Sequence, residues 1–408
     1  MHYAADNKLE KPTEKSSTLS NFLTPLRHAV HKVENNWDLI RLEIKDRLNM
    51  IDPVMIFPYR GMGNDKECVI RGRILEKEGP AAEHFEKLSK WDNIKLAYRR
   101  YETDEIPFIT IRGTFYGETI ETKTDGEGYF EMRFTPNKEL RDSNKDWHEV
   151  DLYVPPHKYT NDKALRATGC ILIPNSHASF GVISDVDDTI LKSNITSKLG
   201  MLKTLVLNNE TTRVAFPGIA AFYRQLRRGT AGKKVNPIFY VSGSSYNLYD
   251  MLDRFCELKD IPKGPFLLTE LGFDMDKFIM NKMHGHKISK IKQVFATFPD
   301  LPFILVGDSG QHDPEIYKDA VKLFPGKIKA IYIRSVNETE ARQEEVRSIA
   351  RELEASGVPM LLINHTGDAA QHAADNGFIT REGLEDVNKD VNKDYREKQE
   401  SKEDSVLG

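Results

Sequence analysis

The stretch Phe180-Gly-Val-Ile-Ser-Asp-Val-Asp-Asp-Thr189 decides the fold of the central part of the chain. It begins as a short apolar run, which predicts a buried strand, and it ends in three carboxylates within four residues. Carboxylates so close together repel one another, and a divalent cation is the obvious compensation. Oxygen ligands without histidine or cysteine favour Mg²⁺ over zinc. The alternative is a solvated acidic turn, because D-x-D-x-T alone is a weak motif.

Short apolar runs alternate with helical segments from about residue 170 to 370. This alternation predicts a parallel sheet, which binds ligands at the carboxyl ends of its strands. Functional residues are therefore expected just after the runs. The predicted strands are Phe180–Ser184, Ile238–Val241, Phe266–Leu268, Phe303–Val306, Ala330–Ile333 and Met360–Ile363.

Three later segments add polar groups at the same predicted edge. Ser242 and Gly243 follow the second strand, where a hydroxyl and flexible backbone N–H groups suit a phosphate oxygen. Lys287 is predicted at a helix N-terminus, where its charge opposes the helix dipole unless it reaches an anion. Asp308 and Asp313 follow the fourth strand and add two carboxylates.

Taken in order, these motifs resemble those of the haloacid dehalogenase superfamily of phosphotransferases, over residues 175–340. More narrowly, the segments Ser184–Ile190, Gly307–Tyr317 and Ile331–Val336, behind a β-rich region, are similar to the catalytic domain of App1-type phosphatidate phosphatases and their bacterial relatives. The resemblance implies a Rossmann-like α/β domain. The spacings between Asp187, Ser242 and Lys287 leave no room for a large cap domain.

The resemblance also implies a role for each motif residue. Asp185 would be the nucleophile that forms an aspartyl-phosphate, and Asp187 would be the general acid and base. Ser242 and Lys287 would bind the phosphoryl oxygens. The implied Mg²⁺ ligands are Asp185, Asp187 through its main-chain carbonyl, Asp308 and Asp313, and the implied substrate-binding residues are Thr189, which orders its loop, and Gly243.

Other polar residues have competing interpretations. Arg334 follows a later strand and is either a substrate contact or a surface ion pair. Ser309 lies in a serine-protease-like loop, but no His/Asp pair is placed to activate it. A second D-x-D, Asp274-Met275-Asp276, is predicted to be a surface loop. A response-regulator receiver does not fit, because the first motif already holds both the nucleophile and its acid/base partner.

The 408 residues divide into four predicted regions. Residues 1–50 combine a polar N-terminus with a long amphipathic helix over Leu26–Leu48. Residues 51–169 form a small β-sandwich-like domain with a helical insertion near 80–100, and Asp125-Gly126 predicts a hairpin turn. Residues 170–380 form the phosphatase domain, and residues 381–408 form a charged, solvated tail that is partly helical or disordered. The β-rich strands are expected at Val54–Ile56, Cys68–Leu75, Phe108–Arg112, Thr119–Lys123, Tyr129–Phe134 and Glu149–Val154.

Composition limits the classes of partner. With 58 basic and 62 acidic residues, the net charge of −4 argues against nucleic-acid binding. No apolar run is long enough to span a bilayer, and the N-terminus lacks a signal peptide, so we expect a cytoplasmic protein that reaches membranes peripherally. The three cysteines are expected to be packing residues.

The sequence therefore predicts an α/β, Mg²⁺-dependent phosphatase acting on phosphatidate at a membrane surface. Two alternatives stay open. One is a phosphatase for a soluble or protein phosphomonoester, and the other is a non-catalytic protein whose β-rich domain binds a partner.

Overall fold

A computed structural model describes residues 53–76, 105–136, 140, 145–186, 216–231, 235–269, 280–336 and 339–407. They all belong to one of the two units into which the chain divides, Pro53–Gly408. The predicted helix over Leu26–Leu48 and the predicted helical insertion lie outside the described residues. So do three groups singled out above: Asp187, Thr189 and the second D-x-D.

The β-rich region forms one eight-stranded, mostly antiparallel sheet. All six predicted strands are present, with small differences at their ends. Two further strands, β2 and β8, were not predicted, because β2 has three residues of which two are glycine and β8 has no regular apolar alternation. The strands are β1 Val54–Pro58, β2 Gly61–Gly63, β3 Cys68–Glu76, β4 Thr110–Phe115, β5 Glu118–Lys123, β6 Tyr129–Phe134, β7 Trp147–Val154 and β8 Leu165–Leu172.

The order of these strands is β1-β3-β2-β8-β7-β4-β5, with β6 paired to β3. The predicted hairpin at Asp125-Gly126 is wrong in its pairing, since β5 pairs with β4 and β6 with β3. The turn itself is present. The Asp125 carboxylate accepts the backbone N–H groups of Glu127 and Tyr129, and Gly128 adopts a φ of 75° that favours glycine.

The second sheet has six strands, all parallel, in the order β11-β10-β9-β12-β13-β14. This confirms the α/β class and the predicted parallel sheet. Each predicted run is a strand of this sheet, and β9 and β12 lie at its centre. The strands are β9 Gly181–Asp185, β10 Ile238–Ser245, β11 Phe266–Thr269, β12 Phe303–Asp308, β13 Ile328–Arg334 and β14 Met360–Ile363.

Helices cover both faces of the parallel sheet, which is why its strands are continuously apolar. Val182, Ile304 and Tyr332 pack in one apolar cluster, and their chain neighbours Ile183 and Leu305 pack in the other. The helices are α1 Ile219–Arg228, α2 Tyr249–Leu258, α3 Met280–Thr297, α4 Asp313–Leu323, α5 Glu340–Ala355, α6 Thr366–Asp375 and α7 Arg381–Leu407.

The predicted tail is helical, which the prediction allowed, but it is not fully solvated. It forms α7, and Leu384 and Val387 on this helix are buried in the same apolar cluster as Tyr332. The backbone N–H of Gly218 donates to Asp394 at 2.8 Å, so α7 also fastens the start of α1. Because the apolar stripe is short and lies among many charged residues, the composition predicted that the segment is exposed to solvent. Within the part described, no helix is long and apolar enough to cross a membrane.

Candidate active site

The centre of the candidate site is a fully buried aspartate at the end of β9. Asp185 has no exposed surface, and the Lys287 ammonium lies 2.7 Å from its Oδ1. The same ammonium donates a hydrogen bond to Asp313 Oδ1. Asp185 and Asp313 are therefore bridged by one buried cation, as the motif order predicted they would be brought together.

Lys287 was predicted to lie at a helix N-terminus, and this prediction is wrong. Helix α3 begins at Met280, so Lys287 lies in the body of the helix, and the argument from the helix dipole was wrong. Its two carboxylate partners explain its position instead. Burial opposes the charge on Lys287, but Asp185 and Asp313 outweigh burial and raise its pKa well above the usual lysine value.

The loop after β12 is held by its own carboxylates. Asp308 Oδ1 accepts the backbone N–H of Gly310 at 2.8 Å and that of Gln311 at 3.0 Å. Asp313 Oδ2 accepts the N–H of Asp308 at 3.1 Å. A Cβ at position 307 would collide with the Asp313 carboxylate, so Gly307 allows this close approach.

Three carboxylates form a possible cation site. Asp185, Asp308 and Asp313 are buried, and one ligand oxygen from each lies within 4.8 Å of the others. With the Lys287 ammonium, the group has a formal net charge of −2, which a divalent cation would balance. Because all the donors are hard oxygens, the set fits Mg²⁺.

Ser242 and Gly243 lie beside Asp185, on the neighbouring strand. Val241 is the register partner of Asp185, and the β10–β11 ladder shifts between Val241 and Ser245. In this irregular stretch the N–H of Ser244 donates to Ser242 Oγ at 2.9 Å, and Thr269 Oγ1 donates to the Gly243 carbonyl at 3.3 Å. The segment Ser242–Ser245, which we call the serine loop, is thus an irregular end of β10, and it begins next to the register partner of the nucleophile candidate.

Arg334 is a buried cation at the end of β13, so the interpretation as a surface ion pair was wrong. Only 8% of the residue is exposed, and its guanidinium carbon lies 3.3 Å from the centre of the Phe216 ring. Among the residues that the structure describes, its Nε has no hydrogen-bond partner and no carboxylate forms an ion pair with it. Burial lowers the Arg334 pKa to about 10.

Ser309 has a structural role. Its hydroxyl donates to the Arg334 carbonyl at 3.0 Å and accepts the N–H of Val336 at 3.1 Å. These bonds tie the end of β12 to the end of β13, which agrees with the rejection of a serine nucleophile.

Sequence reasoning missed two supports of the site. Ser184 Oγ donates to the Asp185 carbonyl and lies 2.6 Å from the Tyr223 hydroxyl, so α1 braces the strand end beside the aspartate. Arg342 on α5 donates to the carbonyls of Ser309 and Gln311 at 3.1 and 2.8 Å. Arg342 belongs to an exposed polar helix, and nothing in the local sequence distinguishes it from a solvated arginine.

Residues 180–335 match the family model of the phosphatidate phosphatase APP1 catalytic domain. Over 170 residues the chain is 32% identical to phosphatidate phosphatase APP1 of Saccharomyces cerevisiae, covering 41% of this chain and 28% of the relative. An uncharacterized protein of Schizosaccharomyces pombe is 24% identical over 43% of this chain and 28% of its own length. The App1-type resemblance is thus confirmed for this segment, and the chain spans about three tenths of each relative.

Among solved structures, a carbohydrate acetylesterase from Xanthomonas citri aligns over 71% of both chains with 12% identity. Its TM-score of 0.25 is too low to bear on fold or activity.

Proposed function

We propose that the protein is a Mg²⁺-dependent phosphatase that hydrolyses phosphatidate to diacylglycerol and phosphate. The observation that carries the proposal is the buried Asp185–Lys287–Asp313 group, at the central strand end of a segment that matches an APP1 catalytic domain. We also infer that this segment has the haloacid dehalogenase organisation without a large cap, and that the antiparallel sheet is a β-sandwich-like companion.

Asp185 is the proposed nucleophile. Its carboxylate attacks phosphorus in line with the ester oxygen, the ester bond breaks, and an aspartyl-phosphate forms. Lys287 favours the ionised form of this buried carboxylate, because the ammonium lies 2.7 Å from Oδ1. Asp187 gives a proton to the leaving alkoxide and later takes one from the water that hydrolyses the acyl phosphate.

The proposed Mg²⁺ ligands are Asp185, Asp308 and the Asp187 carbonyl, with Asp313 in support. When bound, the cation would reduce the repulsion between an anionic nucleophile and an anionic phosphate. The compactness of the carboxylate group supports this assignment.

The remaining polar groups are proposed to hold the substrate. Ser242 and the Gly243 N–H donate to phosphoryl oxygens, and Thr189 orders the loop after the nucleophile. Arg334 supplies a positive charge that no described carboxylate neutralises, which suits a further oxygen of the substrate. A site without a large cap suits a phosphatidate headgroup that stays at a membrane surface.

The direct test measures phosphate release from phosphatidate in mixed micelles and from a panel of soluble phosphomonoesters. We expect turnover of phosphatidate that needs Mg²⁺, stops with a chelator and falls at least about 10³-fold in Asp185→Asn, because an amide cannot form the acyl phosphate. Asp300→Asn, an exposed aspartate of the same domain, is the matched control and should keep full activity.

Three results would contradict parts of the proposal. Full activity of Asp185→Asn would remove the nucleophile assignment, and turnover in chelator would remove the metal. Much faster hydrolysis of a soluble phosphomonoester than of phosphatidate would replace the lipid substrate with the soluble alternative.

A further inference from the structure

The antiparallel sheet contacts the segment that follows the serine loop through a buried arginine. Arg73 on β3 is 6% exposed, and its Nη1 donates to the side-chain carbonyl oxygen of Asn247 at 2.9 Å. The Tyr129 hydroxyl on β6 donates to the same oxygen at 2.7 Å. One side-chain oxygen of the phosphatase domain therefore accepts two hydrogen bonds from the other sheet.

Arg73 is itself fixed by several contacts within its sheet. Its Nε donates to the Glu127 carbonyl at 2.8 Å, and its Nη2 lies 2.6 Å from Glu105 Oε1. The guanidinium carbon is 4.5 Å from the centre of the Tyr129 ring. Because all three guanidinium nitrogens and one face of the guanidinium are engaged, the donor to Asn247 has a fixed position.

Asn247 belongs to the short 3-10 helix Tyr246–Leu248, which directly follows the serine loop. Its backbone N–H donates to Ser245 Oγ at 3.2 Å, which caps the helix at the last residue of the loop. Since the β-ladder is interrupted between Val241 and Ser245, regular strand pairing does not set the loop geometry. The loop depends on the groups that hold its two sides.

The parallel sheet holds the first side, where Thr269 at the end of β11 donates to the Gly243 carbonyl. Both sheets hold the second side. The Tyr246 hydroxyl donates to the Phe266 carbonyl of β11 at 3.3 Å, whereas the antiparallel sheet acts through Asn247 and through Tyr59, which follows β1 and stacks on the Tyr246 ring with centroids 5.0 Å apart. The stacking supplies apolar contact, whereas the two hydrogen bonds to Asn247 supply direction.

We propose that Arg73 and Tyr129 are positioning residues for the serine loop, acting through Asn247. The antiparallel sheet is then a part of the phosphate-binding apparatus. This inference rests on the proposed function, in which Ser242 and Gly243 bind the phosphoryl group. If the loop shifts, those donors lose alignment with phosphoryl oxygens in the ground state and transition state alike. The expected effect is therefore mainly on KM and on phosphate affinity.

The competing explanation is that the contact only fastens one sheet to the other. In that case its loss would lower the melting temperature but leave the affinity of the folded protein for phosphate unchanged. The test therefore combines a thermal melt, KM and kcat for phosphatidate with Mg²⁺, and calorimetric binding of inorganic phosphate to the full chain.

The variants separate the acceptor oxygen from the bulk of the side chain. Asn247→Leu keeps the size but loses the acceptor, and we expect KM and the Kd of inorganic phosphate to rise about tenfold with less than about a threefold change in kcat. Asn247→Asp restores the acceptor opposite Arg73 and should return both constants to within about twofold of wild type. Tyr129→Phe removes one of the two donors and should give an intermediate rise even if Asn247→Leu fails to fold.

Arg112→Gln is the matched control. Arg112 lies in the same sheet and pairs with Glu121 at 2.6 Å, but half of its side chain is exposed and it is not part of the contact with Asn247. We expect wild-type KM and phosphate affinity for this variant.

The inference is overturned if Asn247→Leu and Tyr129→Phe fold and keep wild-type KM and phosphate affinity, or if Asn247→Asp is no better than Asn247→Leu. A wild-type protein that binds phosphate without turning over phosphatidate would contradict the proposed function alone, because phosphate binding still tests the positioning. A wild-type protein that binds no phosphate would contradict both.

Discussion

Two buried cations stand at the carboxyl edge of the parallel sheet, and their surroundings differ in kind. Lys287 lies between the carboxylates of Asp185 and Asp313. Arg334, at the end of β13, lies against the Phe216 ring and forms no ion pair in the described part of the chain. The comparison teaches that the cation near β9 is paired with carboxylates of the protein, whereas the cation near β13 is buried without such a partner, at a cost in free energy.

The largest expected effect on stability comes from removing the cation that is paired with Asp185 and Asp313. Lys287→Met leaves two buried carboxylates facing each other without a cation, so we expect the free energy of unfolding to fall by roughly 3–5 kcal/mol. Urea titration at neutral pH measures this loss. Lys292→Met, an exposed lysine on the same helix, is the control and should lose less than about 0.5 kcal/mol. Equal losses in the two variants would show that Lys287 is not a buried ion-pair partner.

A divalent cation should stabilise the protein through the carboxylates around Lys287 and not through the surroundings of Arg334. If Mg²⁺ binds the folded carboxylate group, a concentration about 100 times its Kd should add about 2.7 kcal/mol to the free energy of unfolding. Asp308→Asn should lose this stabilisation while it keeps a side-chain acceptor for the N–H groups of Gly310 and Gln311. Arg334→Met should retain it. An Mg²⁺ response of wild-type size in Asp308→Asn would exclude this carboxylate from the metal site.

The sequence located the carboxylates around Lys287 better than it described the surroundings of Arg334. Apolar runs followed by polar residues located two strand ends, at Asp185 and Asp308, and placed the end of β10 three residues early, at Ser242 instead of Ser245. The pattern works because buried parallel strands must be apolar and their ends need not be. The position of Lys287 within its helix was wrong, since Gly285, a poor helix residue, lies inside α3 and favoured a later start.

Contacts between distant segments could not be predicted from the chain. Arg73 and Asn247 are separated by 174 residues, and neither lies in a motif. The burial of Arg334 depends on Phe216, which belongs to the chain before α1. In each case the local sequence gives the residue type, and only the fold decides whether its charge meets water, a carboxylate or an aromatic ring.

Removing the second cation should have a smaller effect of opposite sign. Arg334→Met keeps the apolar part of the side chain and removes a buried charge, so we expect the free energy of unfolding at pH 7 to rise by about 1 kcal/mol, with the lost cation–π contact limiting the gain. KM for phosphatidate should rise as well. Arg351→Met, whose arginine side chain is 63% exposed, is the control. A loss of several kcal/mol in Arg334→Met would mean that its charge is compensated after all.

The stabilities of wild type and Arg334→Met should also depend differently on pH, which gives a second test of the buried charge. Burial lowers the Arg334 pKa from the usual arginine value to about 10, so the folded protein releases this proton at a lower pH than the unfolded chain does. The cost of burying the charge is complete below pH 10 and shrinks as the pH rises above it. The stability difference between Arg334→Met and wild type should therefore narrow in unfolding measurements near pH 10.5 relative to pH 7.

The smallest expected effect concerns an ion pair that supports the loop after β12. Burial of Glu315 opposes its charge, but hydrogen bonds from Arg342 outweigh burial and lower the Glu315 pKa below the usual 4.5. A lowered carboxyl pKa gives stability that is present above pH 4.5 and is lost as the pH falls through the folded value. Glu315→Gln should thus cost about 0.5–1 kcal/mol at pH 7 and almost nothing at the acid end of the folded range. Glu345→Gln, which removes a 66% exposed partner of the same arginine, is the control and should cost less at pH 7. If the Glu315→Gln difference is equally large at both pH values, the arginine is not acting on an ionised carboxylate, and the support of the loop must come from its bonds to the Ser309 and Gln311 carbonyls alone.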